Sequence, residues 1–174
     1  MSSVVISGDT SGTITVTVPA VAGTNTATLP AATGTVMVSG NMPTFSYYQS
    51  VQQTLSSNTI TKITFTSSDW DTTGGMFASS RFTPTVAGYY QVICAMEMNA
   101  AGSGMLMYFY KNGSSFKKTT NLSGGSLSGV AGSALVYCNG STDYIEIYAQ
   151  ISVGQALVNA STDTYFQGIL VRAA

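Results

Sequence analysis

The feature that most constrains this chain is a succession of short β-prone stretches, each closed within a few residues by a turn rich in Gly or Asn. Ile60 to Phe65, Tyr89 to Met98, Met105 to Lys111, Ala134 to Cys138, Tyr144 to Ile151 and Thr164 to Val171 are dense in aromatic, aliphatic and β-branched residues. Between them lie Asp71-Thr72-Thr73-Gly74-Gly75, Ala101-Gly102-Ser103-Gly104, Asn112-Gly113, Ser123-Gly124-Gly125 and Asn139-Gly140. Asn-Gly is the strongest of these hairpin signals, because both residues accept positive φ. No stretch keeps a 3.6-residue period over three turns. An antiparallel sandwich, a barrel or a jelly roll is therefore expected.

Composition narrows the function. Charged residues make up 7% of the 174, against about 25% in an ordinary globular domain. The polar surface must be built from Ser, Thr, Asn, Gln and Gly, which favour strands and turns over helices. The chain has no histidine. That removes the usual general base near neutral pH, the Ser-His-Asp and Cys-His arrangements, and the commonest transition-metal ligand. Asp9, Asp69, Asp71, Glu97, Asp143, Glu146 and Asp163 are scattered, so no catalytic residue, no metal site and no cofactor site is assigned. Lysines and arginines form no basic stripe, which argues against a nucleic-acid partner.

Other features have ordinary readings beside functional ones. Cys94 and Cys138 lack metal-ligand spacing and are either a disulfide or two buried thiols. Asp69-Trp70-Asp71 is either a calcium or sugar site or a solvated loop with Trp70 folded back. Two aspartates fall short of a full hard-cation ligand set, which favours the loop. Met96, Met98, Met105 and Met107 cluster at one hairpin, where packing is the default. The segments from Ala101 to Gly104 and from Asn121 to Gly132 are the most exposed loop candidates for receptor contact. No apolar run is long enough for a bilayer-spanning helix, and Met1 to Gly12 does not resemble a secretory signal.

Residues 1–40 differ from residues 41–174. They hold no aromatic residue and an imperfect repeat, Val18-Pro19-Ala20-Val21-Ala22-Gly23-Thr24 echoed by Leu29-Pro30-Ala31-Ala32-Thr33-Gly34-Thr35. Alternating stretches precede the copies, Thr13 to Val18 and Thr24 to Leu29, and both read as short strands. Ile14, Val16, Val18 and Leu29 would share an apolar face too small to form a core within one chain. The segment is then either a linker or a β-structured stalk or anchor whose face meets copies of itself.

In residues 41–174 the order of landmarks is specific. Gly75-Met76-Phe77, Arg81-Phe82-Thr83-Pro84 and Ala87-Gly88-Tyr89-Tyr90-Gln91-Val92 resemble the signature of the complement C1q and tumour necrosis factor-like superfamily, with Pro84 one position early. Tyr110-Lys111-Asn112-Gly113, Asp143-Tyr144-Ile145-Glu146-Ile147 and Thr164-Tyr165-Phe166-Gln167-Gly168-Ile169-Leu170-Val171 continue the resemblance. It implies an all-β, antiparallel, ten-stranded jelly-roll sandwich that assembles as a homotrimer. Alternation along the last two segments puts Ile145, Ile147, Ala149 and Ile151 in the core. Tyr144, Glu146, Tyr148 and Gln150 then lie on an outer face, either a subunit interface or free surface. Tyr165 belongs to one of two largely apolar sides of the closing strand, and Tyr144, Tyr148 and Tyr165 are taken as candidate interface residues.

The N-terminal repeat is similar to segments that precede the globular heads of bacteriophage fibre and other virion proteins. The absence of a Gly-X-Y run excludes a collagen stalk. The expectation is a non-enzymatic virion surface protein made in the host cytoplasm. Residues 1–40 would attach it to the major capsid protein or another virion component. Capsid decoration, cement or head fibre is the first role, and the short segment before the head favours it. A tail-fibre tip recognising a host surface glycan or protein is the second, and a stand-alone C1q-like lectin the third.

Overall fold

The computed structural model describes residues 3–29, 31, 33, 34, 36–102, 104–118 and 127–174. The chain divides into two compact units, Met1–Gly34 and Thr35–Ala174. In the first, β1 (Ser3–Ser7) and β2 (Thr13–Thr17) form an antiparallel hairpin. The alternation at Thr13 therefore does make a strand, and its partner is the preceding Ser-Val-Val-Ile-Ser. The second alternating stretch, Thr24 to Leu29, forms no strand. Alternation supplies a face but not a ladder, and among the described residues no neighbouring strand is available to it. Val18 and Leu29 consequently lie outside the hairpin. Pro30, Ala32 and Thr35 of the second repeat copy are outside the described residues.

The second unit contains β3 (Thr44–Tyr48), β4 (Thr54–Leu55), β5 (Thr61–Lys62), β6 (Ser67–Asp71), β7 (Phe77–Ala78), β8 (Arg81–Phe82) and β9 (Gly88–Gly102). It continues with β10 (Met105–Lys111), β11 (Ser114–Lys118), β12 (Leu127–Cys138), β13 (Ile145–Ile151), β14 (Gln155–Ala156) and β15 (Tyr165–Ala173). A five-stranded sheet runs β12-β9-β15-β3-β6. A six-stranded sheet runs β11-β10-β13-β8-β7, with β5 also on β13, and β14 pairs β4 separately. The result is an all-β antiparallel jelly-roll sandwich; Ser39–Asn41 is a single 3-10 turn.

The strands expected in residues 41–174 are all present, with shifted ends. Ile60 to Phe65 shrinks to Thr61–Lys62, although Ile63 and Phe65 still enter the core. The expected turn at Ala101 to Gly104 starts later, because β9 stays paired through Gly102; Ser103 is outside the described residues. The expected turn at Ser123 to Gly125 is outside them too, and Leu127 to Gly132, read as loop, is strand.

Inward side chains from both sheets form one core. Phe45 is its aromatic centre, with ring centroids 4.6 Å from Phe82, 5.1 Å from Phe77 and 5.2 Å from Phe166. Gly168 makes this possible: a Cβ there would sit 2.5 Å from the Phe45 ring, so only glycine lets the ring lie across β15. Met96, Met98, Met105 and Met107 are buried, as packing requires. Cys94 and Cys138 are free thiols in the same core. Burial pushes both up, Cys138 to about 11, so neither is a thiolate at neutral pH.

The Asn-Gly hairpin forms as its chemistry dictates, with φ of 53° at Asn112 and 78° at Gly113. Asn112 Nδ2 donates to Asp143 Oδ1 at 2.7 Å and its Oδ1 accepts from the Tyr144 N–H at 2.9 Å. Lys111 Nζ pairs with Asp143 Oδ2 at 2.9 Å. Two sequence landmarks thus lock onto each other. Hydrogen bonds from Asn112 and Lys111 hold the Asp143 carboxyl below its ordinary value, outweighing burial.

Candidate assembly interface

The sandwich has two outer faces, and they differ in kind. On the six-stranded sheet, Tyr108 pairs with Tyr148 and Tyr110 with Glu146 across β10 and β13. The Tyr110 and Tyr148 rings stack with centroids 4.1 Å apart, Tyr108 meets Tyr110 edge-on at 6.2 Å, and the Arg81 guanidinium lies 3.9 Å over the Tyr144 ring. These tyrosines are half-buried by one another.

Glu146 sits among them, on the outer face as alternation requires, yet its side chain is only 3% exposed. Its Oε1 receives Lys62 Nζ at 2.7 Å and Arg81 Nε at 2.8 Å. Burial alone would push this carboxyl up; the hydrogen bonds from Lys62 and Arg81 outweigh it and hold it below its ordinary value. The sign of the pH effect follows. A carboxylate held low in the folded state stabilises it above the unfolded value of about 4.3, and this contribution disappears as pH falls through the lower native value. Glu146→Gln should cost about 2 kcal/mol at neutral pH, less than a fully buried pair because Lys62 and Arg81 stay partly wet. Urea titrations from pH 7 to pH 3 should show a smaller acid loss in the variant, the remainder coming from Asp143 and Asp71, both also held low.

The outer face of the five-stranded sheet is open, and apolar side chains crowd it around Gln91, with Arg172 opposite Tyr89 at one end. Tyr89 and Ile93 of β9, Leu135 and Tyr137 of β12, and Ile169 and Val171 of β15 are each 38–57% exposed. They alternate with the buried Tyr90, Val92, Val136 and Leu170. Register makes them one patch: Leu135 pairs with Gln91 and Gln91 with Ile169, while Tyr137 lies opposite Tyr89. A slipped register at Leu170/Arg172 sets Val171 at the end of the patch. Toward β6 the face turns polar, where Gln167 Nε2 donates to Ser46 Oγ at 3.1 Å and Ser46 Oγ donates to Asp69 Oδ2 at 2.8 Å. A contiguous exposed apolar patch on a sheet marks a surface that another molecule covers.

The structure thus puts Tyr148 on β13 and Tyr144 just before that strand, under the Arg81 guanidinium, while Tyr165 stands on the other sheet, opposite Ala95. Of the patch residues, Ile169 shares the Tyr165 side of the closing strand, whereas Leu135 and Tyr137 are not among the residues that the sequence offers for an interface. Alternation could have flagged them, since each is an apolar residue out of phase with a core position. Asp69-Trp70-Asp71, expected as a loop, is the edge strand β6, with Trp70 exposed rather than folded back. Asp69 and Asp71 accept hydrogen bonds from Ser46 and Tyr47, at 2.8 and 2.7 Å. Among the described residues, no group of three or more His, Cys, Asp or Glu could hold a metal ion, and no helix is long and apolar enough to cross a membrane.

A sandwich of this topology with this closing strand has the C1q/TNF-like jelly-roll fold. Murine APRIL superposes with a TM-score of 0.59 at 8% identity, covering 75% of this chain and all of that one. The globular domain of zebrafish complement 1qA gives 0.56 at 14%, covering 77% and all of it. The PRD1 vertex protein P5 gives 0.52 at 14%, covering 75% of this chain and 96% of P5. No family model and no curated protein matches the sequence itself.

Proposed function

We propose that this is a non-enzymatic, homotrimeric surface component of a bacteriophage virion, serving as capsid decoration, cement or head fibre. The observation that carries the reading is the open apolar patch on β9, β12 and β15, which in a nearly uncharged protein calls for burial against identical partners. The likeness of residues 1–40 to virion segments supports the setting, and so does the sharing of the fold with a vertex protein. Residues 1–40 would attach the head to the major capsid protein or another virion component.

Deletion of residues 1–40 tests the attachment. The truncated protein should remain a folded trimer by light scattering and circular dichroism, yet fail to co-sediment with particles that bind the full chain. Undiminished incorporation of the truncated head would overturn the anchor. Exposed Trp70 on the sheet edge favours a second reading, a tail-fibre tip that binds a host glycan or protein. Electron microscopy of labelled virions separates the two, since the label falls on the shell in one case and at the tail in the other.

A further inference from the structure

The hairpin of the first unit has two unlike faces. Register sets Val4 opposite Val16 and Ile6 opposite Ile14, so four β-branched aliphatics share one face. Ser3, Ser7, Thr13, Thr15 and Thr17 line the other, with Val5 among them. The four aliphatics are 57–69% exposed. A lone two-stranded hairpin is marginal in water, so this one needs a cover for its apolar face.

Two considerations identify the cover. The first is area. Four side chains fall far short of the roughly 1,200 Å² that a stable complex between free partners buries. Such a face holds only a partner already tethered nearby, where effective concentrations reach the millimolar range. The second is charge. Asp9, in the connecting turn, is the one charged residue from Ser3 to Thr17. An uncharged face is the kind that identical copies can press together without repulsion.

We infer that Val4, Ile6, Ile14 and Val16 of three copies pack against one another, making residues 3–17 a trimeric stalk rather than the part that grips the shell. This rests on the homotrimer proposed above. It divides residues 1–40 in two. Contact with the virion then falls to Val18–Gly40, where Val21 and Leu29 are exposed outside any strand.

The test uses the full chain and the quadruple variant Val4→Thr, Ile6→Thr, Ile14→Thr and Val16→Thr. Threonine keeps the branched shape and the strand preference but removes the apolar face. Hydrogen exchange is followed over residues 3–17 while light scattering reports the mass. The wild type should be a trimer with this segment protected at least about tenfold, independent of protein concentration. The variant should lose that protection and keep the trimer mass through its head. A wild-type trimer whose residues 3–17 exchange unprotected overturns the stalk alone. Protection that appears only on adding capsid particles also overturns it and makes the shell the occupant. A monomeric wild type overturns the homotrimer and the stalk with it.

Discussion

Replacing Leu135 and Ile169 together with aspartate should yield a folded head that runs as a monomer at micromolar concentration. Both side chains point outward on the five-stranded sheet, joined through Gln91 in the register, and neither supports the core. The fold should survive, with an unchanged circular dichroism spectrum. Assembly should not. Burying a leucine or isoleucine contributes about 1.5–3 kcal/mol, and an aspartate forced into the same dry contact adds several kcal/mol of desolvation. With each tenfold in affinity worth about 1.4 kcal/mol, the two changes should weaken association by about a thousandfold or more. Light scattering decides it. A variant that stays trimeric would sink the proposal that this patch is the subunit interface, and would turn attention to the tyrosine face around Tyr144 and Tyr148.

The second large effect lies in the core. Phe45→Ala should destabilise the head by about 3–5 kcal/mol, the cost of an aromatic cavity that neighbours cannot refill. Phe45 is 1% exposed and touches Phe77, Phe82 and Phe166, which come from three different strands. The hole therefore opens between the sheets rather than at an edge that could collapse. At about 2–4 °C per kcal/mol for a chain of this size, melting should fall by roughly 10 °C. Wild type and variant must be melted at equal protein concentration, because assembly adds its own stabilisation. Tyr47→Phe is the contrasting change. It removes only the 2.7 Å hydrogen bond to Asp71 and leaves the ring on Phe77, so its cost should stay near 1 kcal/mol. A Phe45→Ala loss no larger than that would mean the aromatic centre is not what joins the two sheets.

The strand positions and the inward faces were legible because alternation is a local property. Ile145, Ile147, Ala149 and Ile151 are buried as their spacing requires, and Asn112-Gly113 makes the turn that its two residues favour. Another tight turn was invisible. Ser79 and Ser80 take φ of 51° and 56° to fold β7 onto β8. Serine has no intrinsic preference for that region. The conformation is held by tertiary contacts, with Ser80 Oγ accepting from the Phe65 N–H at 2.8 Å and donating to its carbonyl at 3.2 Å. The hairpin at the N-terminus was half legible: Thr13 to Thr17 read as a strand, but Val4 and Ile6 were not recognised as its partners.

By itself, then, the sequence determined an all-β chain without histidine chemistry, with a jelly-roll order of landmarks and a distinct N-terminal segment. Tertiary structure alone decided which outer face carries the apolar patch and which is tied up. Leu135, Tyr89 and Ile169 become neighbours only because β12, β9 and β15 lie side by side, and Glu146 is buried only because Lys62 and Arg81 arrive from β5 and β8. Alternation tells each strand which of its two faces is apolar. It carries no information on which distant strand will stand beside it, and a surface patch is a property of neighbours.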